Sequence, residues 1–278
     1  MKRLSDFFKK KQQGEKITML TAYDYPTAVF EDKSGIDIIL VGDSVGRNIL
    51  GYESELEVTM DDMLHHVKAV AKGVKDGYVM ADMPYRSFDT PQLALENAKR
   101  FLDVGADGVK IEGEQAVIPQ VEHVVSAGID VCAHVGYTPQ TSGKATVQGR
   151  NFERAKTLID AALKLEDAGA GMVVFELIPE PLAKEITALL SIPTIGIGAG
   201  RFCDGQVQVC CDILGFSERV FRHAKVYDFL GKRYKEVFMA YANEVKSGVF
   251  PTSENSVGLP EDVASEVRAW IAKTGGRT

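Results

Sequence analysis

Four acidic residues stand at the ends of short apolar runs in this sequence: Asp43, Asp82, Glu112 and Glu176. Any one of them alone could cap a helix or fix a turn. Four carboxylates gathered at one place would repel each other strongly unless a cation or a proton neutralised part of their charge. Oxygen ligands without a cysteine cluster favour a hard ion such as Mg²⁺, which commonly uses only one or two carboxylates. We therefore predict a divalent metal site, with Asp43 and Asp82 as the ligands that fit it best.

A lysine and a histidine accompany these acids. Lys110 and Glu112 are two residues apart in one apolar run, so in a strand their side chains point to the same side. A lysine among carboxylates neutralises charge or receives the negative charge of an enolate. His134 ends another run and is either a hydrogen-bonded core residue or a functional one. We keep His134 among the candidates for substrate binding.

Eight apolar runs alternate with helical patterns from residue 16 onward, which is typical of repeated βα units and a parallel sheet. Eight such units predict an α/β fold with one (β/α)8 TIM barrel, whose active site lies at the carboxyl ends of the strands. A doubly wound sheet is the alternative, and it is disfavoured because no G-x-G-x-x-G motif follows the first run. The runs are 16–21, 37–42, 78–81, 108–111, 130–133, 171–175, 193–197 and, more weakly, 207–213; helical patterns include 60–75, 91–103, 152–168 and 181–190.

The domain organisation follows from the absence of a linker or a composition break before about Gly248. We predict that residues 1–256 form a single barrel domain with an N-terminal extension. Within the C-terminal part, residues 221–247 are expected to be helical and 250–259 to form a loop. Residues 257–278 are predicted as a helical tail, since 260–273 is amphipathic and begins with a proline. The apolar side of that helix needs a surface to cover, so a subunit contact is expected.

Composition excludes several classes of protein. The chain has 32 basic and 39 acidic residues, which gives a net charge of −7 and argues against nucleic-acid or anionic-membrane partners. No apolar run approaches the ~18 residues of a membrane span, and the N-terminus lacks the apolar segment of a signal peptide. We expect a cytoplasmic protein. The four cysteines form no C-x-x-C pair and are expected to be reduced, packed thiols.

An ordered set of motifs spread over residues 17–256 resembles a known family. The motifs are Thr21–Asp24, Val41–Ser44, Ala81–Pro84, Val109–Gly113, Thr138–Gln140, Val147–Arg150, Ile195–Gly200 and Asp204–Gln206. On these residues the sequence is identified as a member of the ketopantoate hydroxymethyltransferases, which belong with the phosphoenolpyruvate-pyruvate barrels. The resemblance implies transfer of a hydroxymethyl group from 5,10-methylenetetrahydrofolate to 3-methyl-2-oxobutanoate, giving 2-dehydropantoate (ketopantoate) for pantothenate biosynthesis.

The resemblance also implies roles for individual residues and an assembly. Mg²⁺ would be bound through Asp43 and Asp82 with Glu112 close by, and the general base would be Glu176. The remaining implied roles are substrate binding by Asp43, Ser44, Asp82 and Lys110, with Lys110 also acting in catalysis. The family forms large homo-oligomers, commonly decamers, so self-association is expected.

Two other functions remain open at this point. One is a folate-independent, metal-dependent 2-oxoacid aldolase or lyase of the same barrel group. The other is a catalytically silent barrel that binds a small acid or serves as an assembly subunit. Dependence on folate separates the first from the hydroxymethyltransferase, and failure to bind Mg²⁺ would favour the second.

Overall fold

The computed structural model describes residues 2–216 and 221–274 of the 278-residue chain. Within these residues, eight parallel strands close a barrel in which each strand pairs with the next and β8 pairs with β1. The predicted (β/α)8 barrel is therefore confirmed, and the doubly wound sheet is wrong. The strands are β1 (Ile17–Thr21), β2 (Ile38–Val41), β3 (Tyr78–Asp82), β4 (Gly108–Glu112), β5 (Asp130–Gly136), β6 (Met172–Glu176), β7 (Thr194–Ile197) and β8 (Gly205–Gln208).

Helices follow most of the strands and begin at recognisable caps. The helix that starts at Pro91 is preceded by Thr90, whose hydroxyl accepts a hydrogen bond from the Leu93 N–H at 3.2 Å, as expected at a helix N-terminus. Its predicted bounds, 91–103, are confirmed. The helices of the barrel region are α1 (Leu4–Gln13), α2 (Tyr25–Lys33), α3 (Met60–Gly73), α4 (Pro91–Asp103), α5 (Ile118–Ser126), α6 (Phe152–Asp167), α7 (Glu180–Leu189) and α8 (Cys210–Ile213).

Two layers of apolar side chains build the core, because successive strand residues point to opposite faces. One layer lies inside the barrel and includes Ile38, Met80 and Val174. The other lies between strands and helices and includes Ile39, Ala81 and Phe175. The same alternation decides which polar side chains at the strand ends point into the barrel.

The N-terminal helix α1 lies at the amino ends of the strands. Phe7 is fully buried and its ring contacts the ring of Tyr78 edge-on, with centroids 5.6 Å apart. Lys10 pairs with Asp37 just before β2, with nitrogen and oxygen 2.7 Å apart. Lys11 pairs with Asp204 just before β8, also at 2.7 Å. These contacts tie α1 to the end of the barrel opposite the acidic residues.

The eighth strand differs from the prediction of 207–213. It begins at Gly205, where a side chain would lie 2.5 Å from the backbone oxygen of Ile17. Its outward residue Gln206 is polar and exposed, so the apolar pattern that marks the other strands is weak here. Residues 210–213 form the short helix α8, and the prediction of strand there was wrong.

The C-terminal part also differs in detail. The chain divides into two compact units, Met1–Asp228 and Phe229–Thr278. The division into a barrel domain at 1–256 and a tail at 257–278 stays a prediction. The second unit holds α9 (Leu230–Ser247), which starts later than the predicted helix at 221, and α10 (Glu261–Lys273). The tail helix at 260–273 is confirmed; residues 217–220 and 275–278 lie outside the described residues.

Two further expectations concern the cysteines and membranes. All four cysteines are unbridged and buried, as predicted. None of the described helices is both long and apolar enough to cross a bilayer.

Candidate active site

Five polar side chains project into the barrel at the carboxyl ends of β3 to β6. They follow the inward-pointing apolar residues at intervals of two, as the alternation in each strand requires. The strand register sets Asp82 beside Lys110 and Glu112 beside His134. The set is Asp82 on β3, Lys110 and Glu112 on β4, His134 on β5 and Glu176 on β6. The sequence analysis predicted the acids and Lys110 as one group and left His134 open between a core and a functional role. The structure brings all five side chains to one rim.

Asp43, Asp82 and Lys110 form the first part of the site. The Lys110 ammonium lies 2.5 Å from Asp82 Oδ1, with 6% of one side chain and 2% of the other exposed. The backbone N–H of Asp43 donates to Asp82 Oδ2 at 3.3 Å. Burial raises the pKa of Asp43, and the nearby Asp82 carboxylate raises it further. Burial lowers the pKa of Lys110, but the surrounding carboxylates outweigh it and hold that pKa above its usual range.

His134 lies between two carboxylates in the second part of the site. Its Nδ1 is 3.6 Å from Glu112 Oε2, and its Nε2 is 3.4 Å from Glu176 Oε2. These contacts are longer than ordinary hydrogen bonds, but they bring opposite charges together in a buried place. Burial lowers the pKa of His134, yet the interactions with Glu112 and Glu176 raise it to about 9. The two carboxylates therefore favour the protonated, positively charged form of the imidazole that lies between them.

Gln140 joins the two parts of the site, although the sequence analysis gave it no role. Its backbone N–H donates to Glu112 Oε1 at 2.7 Å. Its side-chain Nε2 donates to Asp43 Oδ2 and to the Met83 carbonyl, both at 2.9 Å. Because both of these partners are acceptors, the amide orientation follows from its contacts. The sequence signals were its place in the motif Thr138–Gln140 and its position shortly after a strand.

Ser44 lies next to Asp43 and is half-buried. Its hydroxyl is 2.8 Å from that of Tyr23, which also accepts a hydrogen bond from Thr21 Oγ1 at 3.0 Å. Burial raises the pKa of Tyr23 well above its usual range, so the phenol stays neutral. Tyr23 was part of a quoted motif, but its link to Ser44 was not predicted.

The donor atoms of Asp43 and Asp82 suit Mg²⁺. Both are buried carboxylates, and burial together with the neighbouring Asp82 carboxylate raises the pKa of Asp43, so a cation bound here would stabilise the ionised form. Glu112 lies close by, with its Oε1 already bonded to Gln140. Residues 2–216 and 221–274 contain no group of three or more His, Cys, Asp or Glu side chains placed to hold a metal together. Two carboxylates completed by water and substrate are a common arrangement for this ion.

Comparison with known sequences gives a consistent result. The sequence model for ketopantoate hydroxymethyltransferase matches residues 1–253. A 3-methyl-2-oxobutanoate hydroxymethyltransferase of Clostridium novyi is 47% identical over 270 residues, which cover 95% of this chain and 98% of the relative. The protein of the same name from Clostridium kluyveri is 48% identical over 266 residues, which cover 94% and 95%.

Comparison with solved structures concerns the fold. A phosphonopyruvate hydrolase, solved with oxalate and Mg²⁺, has a TM-score of 0.62 at 12% identity and covers 98% of this chain and 99% of its own. The 2,3-dimethylmalate lyase, a member of the PEP mutase/isocitrate lyase superfamily, has a TM-score of 0.59 at 14% identity, with coverage of 96% and 98%. These likenesses show a shared barrel of the expected type.

Proposed function

Since the chain belongs to the ketopantoate hydroxymethyltransferase family, we propose that it transfers a hydroxymethyl group from 5,10-methylenetetrahydrofolate to 3-methyl-2-oxobutanoate. The product is 2-dehydropantoate, a precursor of pantothenate. The observation that carries this proposal is the name shared by relatives that are nearly half identical over almost the full chain. The inward-facing acids and lysine of the barrel support it, because the reaction needs a base and a stabilised enolate.

Glu176 is the proposed base that removes the proton from C3 of the oxoacid. Its side chain is 19% exposed, compared with 2% for His134 and 1% for Glu112, so it is the most accessible carboxylate of this group. His134 lies between Glu112 and Glu176, with its Nε2 3.4 Å from Glu176 Oε2. Contact between His134 and the substrate stays a prediction.

The enolate oxygen is the proposed site of action of Lys110 and the two aspartates. Mg²⁺ bound through Asp43 and Asp82 would stabilise the negative charge that develops on the enolate oxygen. The Lys110 ammonium adds a second positive charge at the same place. Ser44 and Lys110 are proposed to bind the oxoacid, and Gln140 keeps Asp43 in position. The enolate carbon then forms a bond to the folate methylene carbon as one of its two C–N bonds breaks. Water displaces the second nitrogen and supplies the hydroxyl oxygen, and tetrahydrofolate leaves with one proton from Glu176 and one from that water.

Proton exchange tests the base separately from the carbon transfer. In D₂O with Mg²⁺ and no folate, the enzyme should exchange the C3 proton of 3-methyl-2-oxobutanoate, followed by NMR. Glu176→Gln should suppress this exchange while binding of the oxoacid persists, because an amide cannot accept the proton. Glu180→Gln is the matched control, since Glu180 is a nearby acid that bonds Arg201 on the surface. Wild-type exchange in Glu176→Gln would refute the assignment.

Product formation distinguishes the proposed reaction from the folate-independent alternative. Ketopantoate should form only when methylenetetrahydrofolate is added. Formation of an aldol or lyase product without folate would favour the alternative enzyme of the same barrel group.

Self-association is proposed as well, and exposed apolar side chains support it. On α9, Val237, Phe238 and Tyr241 are each at least 60% exposed. Clustered apolar side chains on a surface commonly mark interaction sites. The decameric state and the cytoplasmic location stay predictions, as does the absence of nucleic-acid and membrane partners.

A further inference from the structure

The residue that follows the proposed base has an unusual backbone. Leu177 has a φ of +50°, in the left-handed region that residues other than glycine, asparagine and aspartate seldom adopt. Such a conformation persists only where its surroundings hold it. The Leu177 N–H donates to the Ile197 carbonyl at 3.0 Å, and the Leu177 carbonyl accepts from the Gln148 N–H at 2.8 Å. The backbone beside Glu176 is therefore fixed by bonds to two other segments.

Gln148 is in turn held by Arg154, in the first turn of α6. Arg154 Nε donates to Gln148 Oε1 at 3.1 Å. Gln148 Nε2 donates to the hydroxyl of Thr146 at 3.0 Å, so both ends of this amide have partners. The two terminal nitrogens of Arg154 donate to the two oxygens of Glu114, with Nη1 and Oε2 2.6 Å apart. A two-bond contact of this kind fixes the plane of the guanidinium.

We propose that Arg154 is a positioning residue for Glu176. Its guanidinium joins the loop after β4, through Glu114, to the segment before α6, through Gln148. The backbone of Gln148 carries the connection to Leu177 and so to the base. The inference rests on the proposed function, because the connection affects catalysis only if Glu176 removes the proton.

The pair of Arg154 and Glu114 is expected to affect the position of Glu176 more than the stability of the protein. Arg154 and Glu114 have 30% and 18% of their side chains exposed, and partly exposed ion pairs usually add little stability. A small displacement of a base, by contrast, lowers the rate strongly, because proton transfer needs the reacting atoms in contact. A change at Arg154 should therefore affect the rate of proton removal more than substrate binding or folding.

The first test measures exchange of the C3 proton in D₂O with Mg²⁺ and saturating 3-methyl-2-oxobutanoate. Arg154→Met should lower the exchange rate about tenfold, while KM for the oxoacid stays within about twofold of the wild-type value. Arg201→Met is the matched control, because Arg201 also pairs with a glutamate, Glu180, near the same rim; it should exchange at the wild-type rate. If Arg154→Met does not fold, Arg154→Lys replaces it, since lysine keeps the charge but lacks the planar fork.

The second test asks whether Arg154 acts through Leu177. Asparagine tolerates a positive φ better than leucine, so the backbone of Leu177→Asn should depend less on its supports. In that background, Arg154→Met should lower exchange by less than about threefold. An equal loss in both backgrounds, or wild-type exchange in Arg154→Met, would overturn the proposal. Absence of exchange in the wild-type enzyme would instead count against the proposed function.

Discussion

Replacing Lys110 by methionine should destabilise the barrel, because Lys110 neutralises part of the negative charge of its buried acids. Lys110 and Asp82 form an ion pair with side chains 6% and 2% exposed, and the carboxylates of Asp43 and Glu112 are also buried. Removing one partner of a buried pair typically costs about 3–5 kcal/mol, because the remaining charge loses its compensation. For a barrel of this size, 1 kcal/mol corresponds to about 2–4 °C, so the melting temperature should fall by about 6–20 °C.

The pKa of Lys110 decides the pH at which this difference in stability should be measured. Interaction with the acids outweighs burial and raises the pKa of Lys110 above the ordinary value of a lysine, 10.5. A raised pKa stabilises the folded state fully below the unfolded value, and that stabilisation is lost only as pH rises through the folded value. At pH 7 the full difference between wild type and Lys110→Met should be present in urea unfolding.

Lys9→Met is the control for this experiment. Lys9 pairs with Asp6 at 3.2 Å, with side chains 66% and 42% exposed, and its loss should cost less than about 1 kcal/mol. Addition of Mg²⁺ should narrow the deficit of Lys110→Met, because an ion bound to Asp43 and Asp82 supplies the missing positive charge. A Lys110→Met protein as stable as Lys9→Met, without Mg²⁺, would refute the reasoning.

Three other predictions address separate parts of the chain. Asp43→Asn should weaken Mg²⁺ binding in calorimetry without unfolding the barrel, and unchanged affinity would remove Asp43 from the ligands. Burial raises the pKa of Glu31 to about 9 from 4.5, and neither of its oxygens has a hydrogen-bond partner among the described residues. Only the unfolded chain loses this proton between pH 4.5 and about 9, so the free energy of unfolding falls as pH rises through that range. Glu31→Gln should therefore raise the free energy of unfolding by up to about 3 kcal/mol at pH 7 and by little at pH 4.5. No gain at pH 7 in urea unfolding would contradict this. Deleting the residues after Leu259 should change assembly in sedimentation, whereas an unchanged sedimentation coefficient would exclude α10 from subunit contacts.

Local patterns were sufficient to predict the barrel and the residues that line its rim. The spacing of two between Lys110 and Glu112 puts both side chains on one side of β4, whatever the rest of the chain does. The strand order then follows from the right-handed βα connections of a closed barrel. Fold and candidate residues could therefore be predicted from neighbours in the sequence.

Long-range contacts could not be predicted in the same way. Gln140 bonds to residues that are 28, 57 and 97 positions away in the chain, so no local pattern indicates its role. The end of β8 was misplaced because the polar Gln206 and Gln208 interrupt the apolar pattern, while the cysteines of α8 extend it. The positive φ of Leu177 likewise depends on Gln148 and Ile197, which lie on other segments.

The position of α1 has a consequence for the order of events during synthesis. This helix is made before all eight strands, but Lys11 contacts Asp204, and a side chain at Gly171 would collide with Leu4. The partners of α1 are thus far apart in the sequence, since one stands just before β2 and another just before β8. The helix cannot complete its contacts until most of the chain has been translated. We expect the amino end of the barrel to be closed late, by a helix that is made before any of the strands.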